Sequence, residues 1–263
     1  MCKSFSAQRS LHASPSALGG ARAVRSPRGA RQVAAATGQA AAPPTTMPSY
    51  KLYYFPLPGR GEVARLCCAV GGLELEEVRF PFDQWPKYKA IAPFGQCPFL
   101  EVDGTFLAQS AAIDRYLAAE AGLVPKDAFQ AALADQAYNL CIDILTPLFD
   151  TFKVKDEAER IKAREAVVAG PLKEKLGYAE TLVAKAGDGF VAGPELTYGD
   201  LHLFHALSTI ISGWMDGVPK TALDGFPALQ AHRNRVASVP QVKAFYERED
   251  NQDDMRQAYK PNA

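Results

Sequence analysis

The chain has 263 residues, with 29 Lys and Arg balanced by 29 Asp and Glu, and 48% apolar content. That length accommodates one large domain or two small ones with ample core, and the composition excludes wholesale disorder and collagen-like structure. No apolar run reaches the roughly 18 residues of a membrane-spanning helix. The neutral total joins two unlike parts, because residues 1–49 carry six basic side chains (Lys3, Arg9, Arg22, Arg25, Arg28, Arg31) and no acid. Removing those six from 29 leaves 23 basic against 29 acidic residues in the body, a net of −6. A body of that sign has no electrostatic reason to bind nucleic acid or an anionic membrane.

Residues 1–47 are rich in Ala, Ser, Arg, Gly and Pro and lack the compact apolar centre of a secretory signal. Arg-rich, Ser-rich, acid-free composition is that of an organellar transit peptide. The stretch resembles plastid rather than mitochondrial import sequences, with small residues suited to processing over Arg31–Ala36. An uncleaved extension, and a translation start at Met47 that leaves the protein in the cytosol, stay open as alternatives. The five cysteines (Cys2, Cys67, Cys68, Cys97, Cys141) form no C-x-x-C pair, so neither a disulfide framework nor a metal site is expected.

In the body, the aromatic run Tyr50–Phe55, bounded by Pro56-Leu-Pro58-Gly59, predicts a strand. Glu62–Val70 predicts a helix, with Val63, Leu66, Cys67 and Val70 three and four apart and Gly71-Gly72 as its stop. Glu77–Phe80 predicts a second strand, parallel to the first because a helix joins them. A short helix over Trp85–Ile91 precedes the loop ending at Cys97, and Pro98–Val102, Asp103-Gly104 and Thr105–Leu107 form a hairpin on a two-residue turn. A helix over Ser110–Ala119 completes this unit, and Ala121–Lys126 reads as a linker. Helical patterns follow over 128–152, 155–168, 171–186, 197–213 and 226–249, with a break near Pro240. The expected organisation is α+β, with an α/β domain over 48–124, an all-helical domain over 125–250 and a polar, loose tail over 251–263.

Several short motifs lack the partners that would give them chemistry. Gly59-Arg-Gly61 is half of a dinucleotide signature, and His202-x-x-His205 has no H-E-x-x-H pattern, so it reads as helix packing. No G-x-S-x-G or G-K-[ST] element supports a serine hydrolase or a nucleotidase. Thr197-x-x-Asp200 ahead of Leu201 is a capping box. Two places keep both a functional and a plain reading. Pro98 either ends a loop or, as a cis proline, turns the Cys97 backbone toward an extended ligand. At Gln109-Ser110, Ser110 either caps the helix or joins first-turn N–H groups in an anion site.

These pieces, in order, resemble the cytosolic-type glutathione transferases over roughly residues 48–248. The motifs that carry the resemblance are Tyr50–Phe55, Gly59-Arg60, Asp83-Gln-Trp85, Pro93–Gly104 and Gln109-Ser110. The likeness is nearest to the sigma class, which includes haematopoietic prostaglandin D synthases and the lens S-crystallins. It implies a thioredoxin-like domain that binds glutathione as co-substrate, a helical domain that supplies the pocket for a small hydrophobic electrophile, a homodimer, and no cofactor or metal. Carried onto this chain, it gives Tyr54 the hydrogen bond to the glutathione sulfur and Arg60 the support of that site. Trp85 and Lys89 take the glycyl end. Gly95, Gln96, Cys97 and Pro98 form the loop whose backbone holds the cysteinyl unit. Gln109 and Ser110 take the γ-glutamyl carboxylate. Asp143 reaches the γ-glutamyl amine of the partner subunit's ligand. Cys97 departs from an aliphatic family position, and Phe94 is open between a key into a partner subunit and packing in its own loop.

A thiol of pKa about 8.5 is mostly protonated at neutral pH, whereas the thiolate is the nucleophile. A hydroxyl donated to the sulfur stabilises the anion, and Arg60 adds favourable potential. The resemblance therefore implies conjugation of the glutathionyl group to alkyl or aryl electrophiles. The alternatives are a glutathione-dependent isomerase or peroxidase, like prostaglandin D synthase, and a non-catalytic binding protein. Tyr rather than Cys at position 54 argues against a mixed-disulfide step.

Overall fold

A computed structural model describes residues 48–262, all of which fall in one compact unit. The import leader read over 1–47, and Cys2 with it, lie outside the described residues.

Strand β1 (Tyr50–Tyr54) buries alternate residues Tyr50, Leu52 and Tyr54, and sends Tyr53 to the opposite face. There Tyr53 stacks on Phe99 with ring centroids 4.5 Å apart and donates to Glu101. Helix α1 (Glu62–Gly71) ends on Gly72, whose φ of 68° places it in the left-handed region that caps helices. Strand β2 (Leu75–Arg79) is parallel to β1, as the crossover requires. It starts two residues before the predicted strand and ends before Phe80, whose ring leaves the ladder to stack on Tyr88 at 4.0 Å. Helix α2 (Trp85–Lys89) is followed by the hairpin of β3 (Phe99–Val102) and β4 (Thr105–Ala108). Asp103 and Gly104 both have positive φ, the requirement of the primed two-residue turn. The sheet order is β2-β1-β3-β4, and α3 (Ser110–Glu120) packs beside α1.

The helical part opens with α4 (Ala128–Asp150), whose first N–H groups are accepted by the Asp127 carboxylate. Helices α5 (Glu157–Val167) and α6 (Lys173–Ala186) were expected as separate runs. They are continuous through one π turn, Val168–Leu172, where Pro171 has no N–H to close an ordinary helical bond. The most enclosed helix is α7 (Tyr198–Ile211), buried at every position from Tyr198 to Ile210. It carries the capping box between Thr197 and Asp200. Gly199 lets α7 approach α4 so closely that a Cβ there would stand 2.5 Å from the Ala134 carbonyl oxygen. Helices α8 (Pro227–Ala237) and α9 (Pro240–Glu247) follow, each with proline in its first turn, where the missing N–H costs nothing. One apolar core runs from Leu52, Leu66 and Ile113 under the sheet to Tyr138, Phe204 and Leu207 in the helical part.

The tail, expected to be loose from residue 251, is instead packed. Asn251 is buried and donates to the Phe245 carbonyl, and a last turn of helix, α10 (Asp254–Gln257), presents the buried Arg256 to Glu62. Glu62 lies in the first turn of α1 with no exposure. It also accepts from Arg65 Nη1 at 2.9 Å and from the Tyr246 hydroxyl at 2.9 Å. Burial pushes its carboxyl up, but Arg256 and Arg65 outweigh that and hold it below its usual value. Removing one member of such a buried ionic cluster leaves uncompensated charge. Glu62→Ala should therefore lower the unfolding free energy by about 3–5 kcal/mol in a urea titration, and an unshifted midpoint would show that the cluster is not an anchor.

Candidate active site

The site begins where β1 runs into the loop Phe55–Pro58. Tyr54, the last residue of β1, is 8% exposed, and its hydroxyl accepts the backbone N–H of Arg60 at 3.0 Å. Two glycines make that approach possible. A Cβ on Gly59 would stand 2.7 Å from the Tyr54 hydroxyl, and one on Gly61 would stand 2.8 Å from its ring. The Gly59-Arg-Gly61 pattern, which carries no dinucleotide chemistry, is thus the cradle of this tyrosine. With one lone pair occupied by Arg60, the hydroxyl keeps its proton for an acceptor in the cavity. Burial raises its pKa despite the Arg60 N–H and the nearby Arg65 and Arg60 charges, so Tyr54 is a neutral donor at physiological pH.

Sequence reasoning missed Arg65. Its guanidinium sits 5.8 Å from the Tyr54 ring centroid and donates to the carbonyls of Leu57 and Pro58, fixing the loop that presents Arg60. Arg65 also pairs with Glu77 at 2.6 Å, whose carboxyl is held at about 2 because the Arg79 and Arg65 bonds override the effect of its burial. Arg65 stands on the helix face opposite Val63, Leu66, Cys67 and Val70, where an arginine is expected in solvent, so the periodicity carried no signal for it.

Two cavities meet beside Tyr54. The first, about 280 Å³, is polar and gathers most of the residues expected from the resemblance. Trp85 walls one side, its ring parallel to Phe80 at 6.0 Å. Gly95, Gln96, Cys97 and Pro98 form the floor, and the Cys97–Pro98 peptide is cis. Gln109 and Ser110 close the far end, with Arg60 at the near end. Of the two readings of Ser110, the structure removes the helix cap. The N-cap of α3 is Gln109, held at φ 73°, and no side chain caps the helix. Ser110 is the first helical residue, so its hydroxyl is free to face the cavity. Lys89 does not line the cavity; its stem passes close to Gly95. Asp143 is also outside it, exposed on α4 and 3.7 Å from Lys175. Phe94, 66% exposed, does not pack in its own loop.

The second cavity, about 350 Å³, is apolar and shares Phe55, Arg60 and Cys97 with the first. Tyr54 opens into it, and its walls are Phe82, Phe149, Phe152, Trp214 and Met255. These come from the loop before α2, the end of α4, the loop after α7 and the tail, with no spacing that a sequence reading could join. Cys97 lies at the junction. Burial pushes its thiol up to about 11, so it is no thiolate nucleophile at neutral pH. Among the described residues, no group of His, Cys, Asp and Glu side chains is placed to hold a metal ion.

A third, smaller cavity of about 240 Å³ lies behind Ser110, at the base of the helical part. His202 and His205 face it, and burial lowers them to about 3 and about 4, so both are neutral. Asp114 also faces it. One oxygen accepts from the Tyr138 hydroxyl, and the other has no protein partner. Burial raises Asp114 to about 8, against the smaller effects of the Tyr138 bond and Arg115.

The fold, a four-stranded mixed sheet with a helical second half, and the paired polar and apolar cavities at their junction define a thioredoxin-like domain joined to a helical one. Residues 48–119 match the family model "Glutathione S-transferase, N-terminal domain", and residues 142–249 match "Glutathione S-transferase, C-terminal domain". A probable glutathione S-transferase 7 of Caenorhabditis elegans is 34% identical over 204 residues, covering 76% of this chain and 97% of the relative. The hematopoietic prostaglandin D synthase of Gallus gallus is 35% identical over 203 residues, covering 77% and 97%. Among solved structures, prostaglandin synthase D of Nilaparvata lugens superposes with a TM-score of 0.69 at 28% identity, over 76% of this chain and 98% of that one. The glutathione S-transferase of Ascaris lumbricoides gives 0.64 at 32% identity, over 75% and 95%. The chain belongs to the glutathione S-transferase family.

The third cavity makes a prediction of its own. The folded Asp114 carboxyl keeps a proton that the unfolded chain releases near 3.8, so folding is progressively penalised between about pH 4 and about pH 8. Asp114→Asn removes that penalty. Its gain in Tm over the wild type should grow across this window and level off above it; thermal melts that show a pH-independent difference would contradict the raised pKa.

Proposed function

We propose that this enzyme binds glutathione in the polar cavity and conjugates it to small hydrophobic electrophiles held in the apolar one. The observation that carries this reading is Tyr54 in the wall of the apolar cavity, beside the Arg60 that both cavities share, its hydroxyl accepting from the Arg60 N–H and free to donate. In the bound state the γ-glutamyl carboxylate meets Ser110, Gln109 and the first N–H groups of α3, where the helix end favours an anion. The cysteinyl unit pairs with the backbone at Cys97, and the glycyl end lies toward Trp85 and Lys89. The sulfur then faces Tyr54. Its proton is released to water, and the Tyr54 hydrogen bond and the Arg60 charge stabilise the thiolate that attacks the electrophile. Tyr54 donates throughout and abstracts no proton.

A second reading keeps the same thiolate but lets it isomerise or reduce a bound substrate. The prostaglandin D synthases among the relatives favour it, and they also support a sigma-type class for this chain.

Tyr54→Phe tests the shared step. Losing one to two units of thiol acidification, each about 1.4 kcal/mol, should lower kcat/KM about 10- to 100-fold at neutral pH. The loss should shrink as pH rises and the thiol ionises unaided. A chlorodinitrobenzene assay across pH reads both, and equal wild-type and variant profiles would remove Tyr54 from the role.

The same reading makes the protein a homodimer, with Asp143 reaching the partner's γ-glutamyl amine and the exposed Phe94 as the key between subunits. It also takes residues 1–47 as a plastid import sequence removed from the mature enzyme, supported by their acid-free, Arg- and Ser-rich composition. Native mass spectrometry of the protein isolated from its own cells should find a dimer of chains lacking the leader. A monomer would overturn the first statement, and chains retaining the leader the second.

A further inference from the structure

The tail beyond the family match, which ends at residue 249, is built into the apolar cavity. Four attachments hold it. Arg256 pairs with the buried Glu62 at 3.2 Å and with Asp253 in its own turn. Arg233 donates to the carbonyls of Ala258 and Lys260. The Tyr259 hydroxyl, on a side chain 1% exposed, meets His205 Nδ1 at 2.8 Å and Thr209 Oγ1 at 2.9 Å. Asn251 donates to the Phe245 carbonyl at 2.9 Å. Between these fixed points Met255 is half-buried and closes the wall of the cavity that holds Tyr54, Phe152 and Trp214.

We propose that Met255 is a specificity-determining contact for the electrophile, and that Arg256 is the positioning residue that holds it there. The proposal rests on the conjugating function above and names its substrate class: flat, apolar, multi-ring aryl electrophiles. Three observations select that class. The cavity volume suits a molecule larger than one ring. Its walls are aromatic on several sides. The residue that completes it is a methionine, whose unbranched, polarisable thioether packs on the edges and faces of rings. Met255 lies on a turn anchored on both sides, so its place is set by the Glu62–Arg256 pair and by Tyr259 rather than by the substrate. With an arene oxide, the glutathione sulfur forms a C–S bond as the epoxide C–O bond breaks, and the ring oxygen takes up a proton from water.

The test compares phenanthrene oxide with chlorodinitrobenzene as substrates of the full-length wild type, Met255→Ala and Met255→Leu. Met255→Ala should raise KM for phenanthrene oxide about tenfold, the scale of losing a few apolar atoms from a pocket. It should leave KM for glutathione, which the conjugating function places in the polar cavity, nearly unchanged and raise KM for the single-ring substrate by a clearly smaller factor, and Met255→Leu should restore most of the loss. Quenching of Trp214 fluorescence by unreactive phenanthrene gives a readout that needs no catalysis, and Kd should weaken in step. Equal effects on both substrates, or none on either, would overturn the proposal. If the wild type conjugates neither substrate but phenanthrene binding still weakens in Met255→Ala, the contact stands and the conjugating function falls.

Discussion

A buried carboxylate organises this molecule. Glu62 opens the first helix of the sheet domain, two residues past Arg60, and it is met there by Arg65 from its own helix, Tyr246 from α9 and Arg256 from the tail. Ions out of water are stable only when their partners are close and well aimed. The cluster therefore ties the start of α1, the last long helix and the chain end to one point. Arg65 extends it toward the site by holding the carbonyls of Leu57 and Pro58, so the loop that delivers the Arg60 N–H to Tyr54 is fixed from beneath. The geometry at Tyr54 is in this way set by charges that line neither of the two cavities.

The placement of the two cavities follows from the same joint. The polar one is made almost wholly by loops of the sheet domain, at the ends of β1, α2 and β4, where backbone groups are free to meet a peptide-like ligand. The apolar one needs both halves of the chain, because its aromatic walls come from the sheet-domain loops and from α4, the loop after α7 and the tail. A polar and an apolar cavity are thus separated by chemistry and joined at Phe55, Arg60 and Cys97.

How legible this was in the sequence depended on the range of the forces involved. Strand alternation in Tyr50–Tyr54, the Asp103-Gly104 turn and the capping box at Thr197 are local, and each could be read where it stood. The polar cavity was legible as well, since its residues fall in a few ordered motifs. The tail was not. Its run of acidic and polar residues looks solvent-loving until Arg256 finds Glu62, 194 positions earlier. The apolar walls were equally hidden, because Phe149, Phe152, Trp214 and Met255 share no period and meet only after the helices pack. At Ser110 the type of residue left capping and an anion site both open, and Gln109 in the cap position removes the first of these. Residues 155–186 were divided at Gly170-Pro171 on the ordinary rule for proline, which a single wide turn circumvented.

Cys97 stands where the polar and apolar cavities meet, so under the proposed function an electrophile would lie beside its thiol. Burial pushes its thiol up to about 11, so at neutral pH it stays protonated. Under the proposed function the glutathione sulfur is the second thiol at this place, and Tyr54 and Arg60 would push it toward ionisation. Two thiols therefore face the same electrophile with opposite readiness to react. On that reading the difference would protect the protein from alkylating itself, and the pocket would consume its co-substrate instead of its own side chain.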